Sequence, residues 1–159
     1  MGADSIEVAF EYGRQQVEAE NFREALPFFK EMVEKGKKEG NGNFSQPAHK
    51  SYYALCMTMV YGPTREAIQL SERAVSKEFY NPDLFCNLGL IYMRCGKRGP
   101  AFRAFKRGLA LKSNHLRIAK ALKKYEDRSM RFLNFLPRRH FLNRWIGRIR
   151  VRLAGGSES

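Results

Sequence analysis

Small and aromatic residues recur in this chain at an interval close to 34 residues. Ala67 and Ala101 lie 34 residues apart, whereas Ala25 and Ala67 lie 42 apart. An interval of ~34 residues accommodates two short helices and the turns that join them. The 159 residues therefore have room for three such units and a C-terminal remainder. The recurring positions include Gly13, Ala25, Phe29, Ala54, Ala67, Ser71, Gly89, Ala101, Phe105 and Gly108.

The pattern is clearest in the third unit, residues 82–113. Asn81 is a suitable N-cap and Pro82 fits the first helical position, where its missing N–H is not needed. Gly89 would let a second helix approach closely, and Gly96 can end the helix in a left-handed conformation. Three- and four-residue steps place one group of apolar side chains on a common face: Leu84, Phe85, Leu88, Ile91 and Tyr92.

The first unit, residues 6–37, repeats this scheme, and the middle unit, residues 48–81, follows it less closely. Ser71 stands where the other two units have phenylalanine. The middle unit nevertheless has a strong turn signal at 62–64, with the sequence Gly-Pro-Thr. The longer first interval is accounted for by a Gly/Lys/Asn-rich stretch at 36–46, which predicts a loop.

These residues resemble the tetratricopeptide repeat (TPR) family over roughly 5–113. The resemblance implies an all-α fold, a right-handed α-solenoid of antiparallel helix pairs whose first helices line a concave groove. Residues 115–128 are predicted to be a capping helix that completes a domain spanning 1–128. In that helix, Arg117 and its neighbouring lysines are expected mostly to face water.

The family's groove positions, carried over unit by unit, give a candidate partner-binding surface with an apolar middle. Such a lining suits an amphipathic helix or an apolar peptide, and methionine adapts to irregular partners. The alternative is that these side chains are simply core. The lysine and asparagine clamp by which one TPR subgroup binds chaperone tails is absent. The candidate residues are Phe10, Arg14, Val17, Tyr52, Cys56, Met59, Cys86, Leu90, Met93 and Arg94.

Charge is divided unevenly along the chain. Residues 1–80 carry 10 Lys/Arg and 12 Asp/Glu, whereas residues 81–159 carry 19 and 4. The positive half predicts an acidic partner, which could be a protein face, an anionic lipid surface or a nucleic acid. The absence of an RNA-binding fingerprint and of zinc-ligand spacing argues against nucleic acid.

The C-terminal residues 129–159 are predicted to hold a connector, 129–137, and a basic amphipathic helix at about 139–153. This helix could cap the solenoid, fill a groove on its own or another chain, lie on an anionic membrane, or follow a nucleic-acid backbone. Docking on another copy would make the protein self-associate. Its candidate contact residues are Phe141, Arg144, Trp145, Ile146, Arg148 and Ile149.

No motif for catalysis, metal binding or cofactor binding is found. The three histidines lack ligand spacing, and no P-loop, dinucleotide or nucleophile-elbow motif occurs. The three cysteines are read as reduced thiols of a cytoplasmic protein, and no stretch of ~20 apolar residues predicts a membrane span. The sequence therefore predicts a non-enzymatic adaptor that binds a protein or peptide, with peripheral membrane or nucleic-acid association as the alternative.

Overall fold

A computed structural model of the chain describes residues 3–39 and 46–128, with side chains for 5–38 and 46–125. Within these ranges the protein is all-helical, with seven helices and no strand, as predicted. The helices are α1 (Ala3–Glu18), α2 (Phe22–Glu39), α3 (Pro47–Tyr61), α4 (Arg65–Lys77), α5 (Pro82–Arg94), α6 (Arg98–Leu111) and α7 (Leu116–Arg128).

The helix boundaries follow local sequence signals. The loop predicted at 36–46 begins later than expected, because α2 continues to Glu39 through Lys and Glu, which are good helix formers. The N–H of Asp83 donates to the side chain of Asn81 at 3.1 Å, which confirms the predicted N-cap of α5. Gly96 has a φ of 71° and ends α5 in the left-handed region, as predicted.

The chain divides into two compact units, Met1–Ile118 and Ala119–Ser159. In the first unit each helix from α1 to α6 contacts the next, and the odd-numbered helices contact one another in the order α1, α3, α5. In the second unit, the described residues are the remainder of α7, where Ala121 and Leu122 are buried. The connector and the tail helix predicted at 139–153 lie outside the described residues.

Glycine and phenylalanine meet in two of the helix pairs. A Cβ added to Gly89 would lie 2.3 Å from Cε1 of Phe105, and one added to Gly13 would lie 2.9 Å from Cζ of Phe29. Both contacts join residues 16 positions apart. These distances confirm that α6 approaches α5 closely at Gly89, because a larger residue there would overlap the phenylalanine ring.

The middle pair reverses the sizes at the corresponding positions. Leu55 lies 42 residues after Gly13 and 34 before Gly89, and Ser71 has the same relation to Phe29 and Phe105. Leu55 and Ser71 are both fully buried. The large side chain is therefore on the first helix of this pair and the small one on the second, which explains how Ser71 can replace phenylalanine without an obvious loss of packed volume.

Candidate partner-binding surface

The residues predicted to line a groove lie on α1, α3 and α5, but they differ in how far they are exposed to solvent. Four of them are buried, with exposed fractions of 3% for Val17, 1% for Tyr52 and 0% for Cys56 and Cys86. The prediction that these four lie on an accessible lining is therefore corrected: in the described structure they belong to the interior. Apolar side chains at these positions pack against neighbouring elements instead of remaining in water.

Tyr52 has the most extensive aromatic contacts among these four residues. Its ring stacks on Phe29 with centroids 5.2 Å apart, and it meets Phe10 edge to face at 5.5 Å. Phe10 also lies 5.0 Å from the ring of His49. Tyr52 is thus a core residue that ties α1 and α2 to α3.

Burial also changes the thiols. Desolvation raises the pKa of Cys56 to about 12 and that of Cys86 to about 11, since a thiolate in an apolar site loses its hydration. Neither group is suited to act as a nucleophile near neutral pH. These thiols therefore act as small apolar core residues.

The other six predicted groove residues remain at least partly accessible. Phe10, Arg14, Met59, Leu90 and Met93 are half-buried, and Arg94 is exposed. Three of the apolar members, Phe10, Met59 and Leu90, pack against the main hydrophobic core while keeping part of their surface in solvent. They are the part of the candidate surface that a partner could contact directly.

Arg14 is held by carboxylates of its own helix. Its guanidinium donates to Glu11 at 2.7 Å and to Glu18 at 2.8 Å, and all three side chains are about one-third to one-half exposed. Hydrogen bonding from Arg14 lowers the pKa of Glu11. Such exposed pairs along one helix contribute little to stability and leave this charge largely neutralised.

Arg117, at the start of α7, makes a different kind of contact. Its guanidinium donates to Asp83 at 3.1 Å, to Asn87 at 2.7 Å and to the hydroxyl of Tyr52 at 3.2 Å, and its side chain is only 13% exposed. The prediction that Arg117 faces water is wrong. Its five donors allow one guanidinium to satisfy polar groups from α3 and α5 simultaneously.

Asp83 also bonds a buried histidine. Nε2 of His115 lies 3.1 Å from the same Asp83 oxygen, and Nδ1 of His115 accepts the N–H of Ile118 at 3.4 Å. The second contact assigns the proton to Nε2, which then donates to Asp83. Burial alone raises the pKa of Asp83, but the bond from His115 and the charge of Arg117 outweigh it and bring the pKa to about 2.

A pocket of about 380 Å³ adjoins the candidate surface. Met59 and Val60 of α3 form one side of it, and residues 20–24, at the turn from α1 into α2, form the other. Met59 is therefore at once a predicted groove residue and a pocket wall. Met59 can contact an apolar side chain of a partner, while the polar groups of the turn can bond the partner's backbone.

The structure adds residues that the sequence analysis did not select. Arg117 was predicted to face water, and the partners that it contacts instead lie 30 to 65 positions away in the sequence. Phe79 and Tyr80 are 63% and 65% exposed in the turn before α5. A signal for these two was available, since turns usually hold small polar residues rather than adjacent aromatics.

The described residues contain no group of three His, Cys, Asp or Glu side chains that could hold a metal ion. None of the helices in the described ranges has the length and apolar character needed to cross a membrane. Comparison with family models, curated proteins and solved structures returned no match for this chain.

Proposed function

We propose that the protein is a non-enzymatic interaction module which binds a segment of a partner protein along α1, α3 and α5. The finer fold we propose is a right-handed TPR-like solenoid of antiparallel helix pairs. Two observations support it: the odd-numbered helices contact one another in sequence order, and the Gly–Phe contact recurs in the first and third pairs. The two unpaired, buried thiols Cys56 and Cys86 support a reducing, cytoplasmic setting.

The observation that carries this proposal is the partial exposure of apolar side chains on the odd-numbered helices. Phe10, Met59, Leu90 and Met93 keep surface in solvent, and three of them rest on a fully packed core. Because these side chains already rest on a formed core, less of the surface has to become ordered when a partner binds, which lowers the entropy cost of binding. Two methionines in the set allow the surface to adapt to different apolar side chains.

The partner segment that fits this surface is amphipathic. Its apolar side chains would cover Met59 and Leu90, with one reaching the pocket beside Val60. Arg94 is exposed at the end of α5 and favours an acidic residue in the partner. Arg14 is already bonded to two glutamates of its own helix, so Arg94 is the better candidate for such a charge contact.

Selection from a displayed peptide library tests this proposal on the full chain. We expect the selected peptides to be amphipathic, and we expect Met59→Glu and Leu90→Glu each to weaken their binding by about tenfold or more, because a charge replaces buried apolar surface. Val8→Glu is the matched control, since Val8 is 70% exposed on α1 and is not among the candidate residues. Peptides that bind all three variants as well as the unchanged protein would contradict the proposed surface.

A further inference from the structure

Four large apolar side chains are exposed where α4 leads into α5 and where α6 leads into α7. Phe79 and Tyr80 lie in the first turn, and Leu111 and Leu116 flank the second. Their exposed fractions are 63%, 65%, 46% and 71%. A single exposed apolar residue is ordinary, but four on neighbouring turns indicate a contact surface. We call these four residues the apolar edge.

The two turns lie side by side in the first compact unit. Asp83 lies only three residues after Tyr80 in the sequence. Nε2 of His115, in the second turn, lies 3.1 Å from an oxygen of Asp83. A Cβ added to Gly108 of α6 would lie 3.3 Å from the carbonyl oxygen of Pro82. These contacts place the start of α5 beside the end of α6 and the turn that follows it, so the two turns that carry the four apolar side chains are neighbours.

The surroundings of this edge are basic. Helix α6 contains no acidic residue, and its exposed cations Arg103 and Arg107 lie about two turns and one turn before Leu111. Two exposed lysines adjoin the turns: Lys77 ends α4, just before the first turn, and Lys112 begins the second turn.

Of the two acidic side chains nearest in sequence to the edge, only Asp83 is paired with a cation, because Asn81 is neutral and leaves the charge of Glu78 in place. Glu78 accepts a hydrogen bond from Asn81 at 3.1 Å, and Asp83 is bonded to Arg117 and His115. Arg103 and Arg107 have no carboxylate on their own helix, in contrast to Arg14 on α1. A surface of this composition attracts an anionic partner.

We propose that the apolar edge, together with the adjoining cations of α6, is a peripheral contact site for an anionic lipid bilayer. The apolar side chains would enter the interface between headgroups and acyl chains, and the cations would meet lipid phosphates. Phenylalanine and tyrosine on turns suit this interface because their rings are apolar and can enter it, while the tyrosine hydroxyl stays hydrated. A peptide helix is usually held in a groove, whereas these side chains stand on two turns with nearly half or more of their surface in water.

Vesicle flotation with the full chain tests this site. We expect the protein to float with vesicles that contain phosphatidylserine in phosphatidylcholine, and to float far less with phosphatidylcholine alone. The double variant Phe79→Ser/Tyr80→Ser should lower the partition coefficient by about tenfold or more, because two large apolar side chains no longer insert. Raising the salt concentration should also weaken binding, since the cations would be screened.

Tyr61→Ser is the matched control because Tyr61 is 76% exposed at the end of α3 and lies outside the edge. It should leave the partition coefficient within about twofold of the unchanged protein. Three outcomes would overturn the site: no flotation of the unchanged protein, equal flotation of the edge variant, or binding of an acidic amphipathic peptide through Phe79 and Tyr80 without binding of vesicles. Peptide binding through Met59 and Leu90 is measured separately, so this site and the proposed function can fail independently.

Discussion

The first and third helix pairs share the same Gly–Phe packing contact but differ in how their charged side chains are paired. Both place glycine on the first helix against phenylalanine on the second. In the first pair, Arg14, Lys30 and Lys35 each bond glutamates three or four residues away on the same helix. In the third pair, Asp83 bonds residues more than 30 positions away, and α6 carries cations but no acidic residue of its own.

This difference separates two requirements on a helix pair. The interior must match in volume, so the same sizes recur at the same spacing. The surface has no such constraint, since exposed charges contribute little to stability and can be varied for partner contacts. Equivalent pairs can therefore present a neutralised surface at one end of the sequence and a strongly basic one further along.

The largest expected effect tests whether volume alone governs the Gly–Phe contact. Phe105→Ser should lower the free energy of unfolding by about 3–5 kcal/mol, because it leaves a cavity beside Gly89. Adding Gly89→Leu reproduces the Leu55 and Ser71 arrangement of the middle pair and should recover part of this loss. Urea unfolding of both single variants and the double variant measures the coupling. Additive losses would show that the reversed sizes cannot be transferred between pairs.

The next effect compares the two arginines. Arg117→Met should lower the free energy of unfolding by about 2–4 kcal/mol, because Asp83 and Asn87 lose a buried donor. Arg14→Met should cost less than about 1 kcal/mol, since its partners are largely solvated. Equal losses in urea unfolding would contradict the distinction between a buried long-range contact and exposed local ones.

The third effect is a dependence of stability on pH. Asp83 has a pKa of about 2 in the folded protein, below its ordinary 3.8. Its contribution is therefore fully present above about pH 4 and is lost as the pH falls towards 2, by about 1–2 kcal/mol. Across this pH range, the free energy of unfolding of Asp83→Asn should fall less steeply with decreasing pH than that of the unchanged protein. Glu11→Gln is the control from the first pair, and a change there as large as that of Asp83→Asn would refute the assignment.

The smallest effect concerns corresponding helix ends. Glu20, Gly62 and Gly96 occupy matching places in the three pairs, and all have positive φ, with values of 62°, 98° and 71°. Glu20→Gly should raise the melting temperature slightly, by the equivalent of about 1 kcal/mol, because glycine adopts this conformation without a Cβ clash. Gly96→Ala should do the reverse, since no neighbour lies within 4 Å of the added Cβ and only backbone strain would change. A destabilised Glu20→Gly variant would show that the glutamate side chain matters more than its backbone conformation.

The amino-acid sequence determined the helices and the close approach at Gly89, because these depend on neighbouring residues. Asn81, Pro82 and Gly96 act within a few positions of where they stand, so their effect could be read in order along the chain. The spacing of glycine and phenylalanine likewise predicted that a small residue on one helix leaves room for the phenylalanine on the next, and the structure confirms this.

Only the tertiary structure decided which face of each first helix meets solvent. Helical periodicity groups Tyr52, Cys56 and Met59 by direction, but it does not show which neighbour covers them, so it left open whether the first two line a groove or belong to the core. The bonds from Arg117 to Asp83 and Tyr52 depend on bringing distant helices together. Such long-range contacts arise when packing removes polar groups from water and requires them to find partners, which no local pattern specifies.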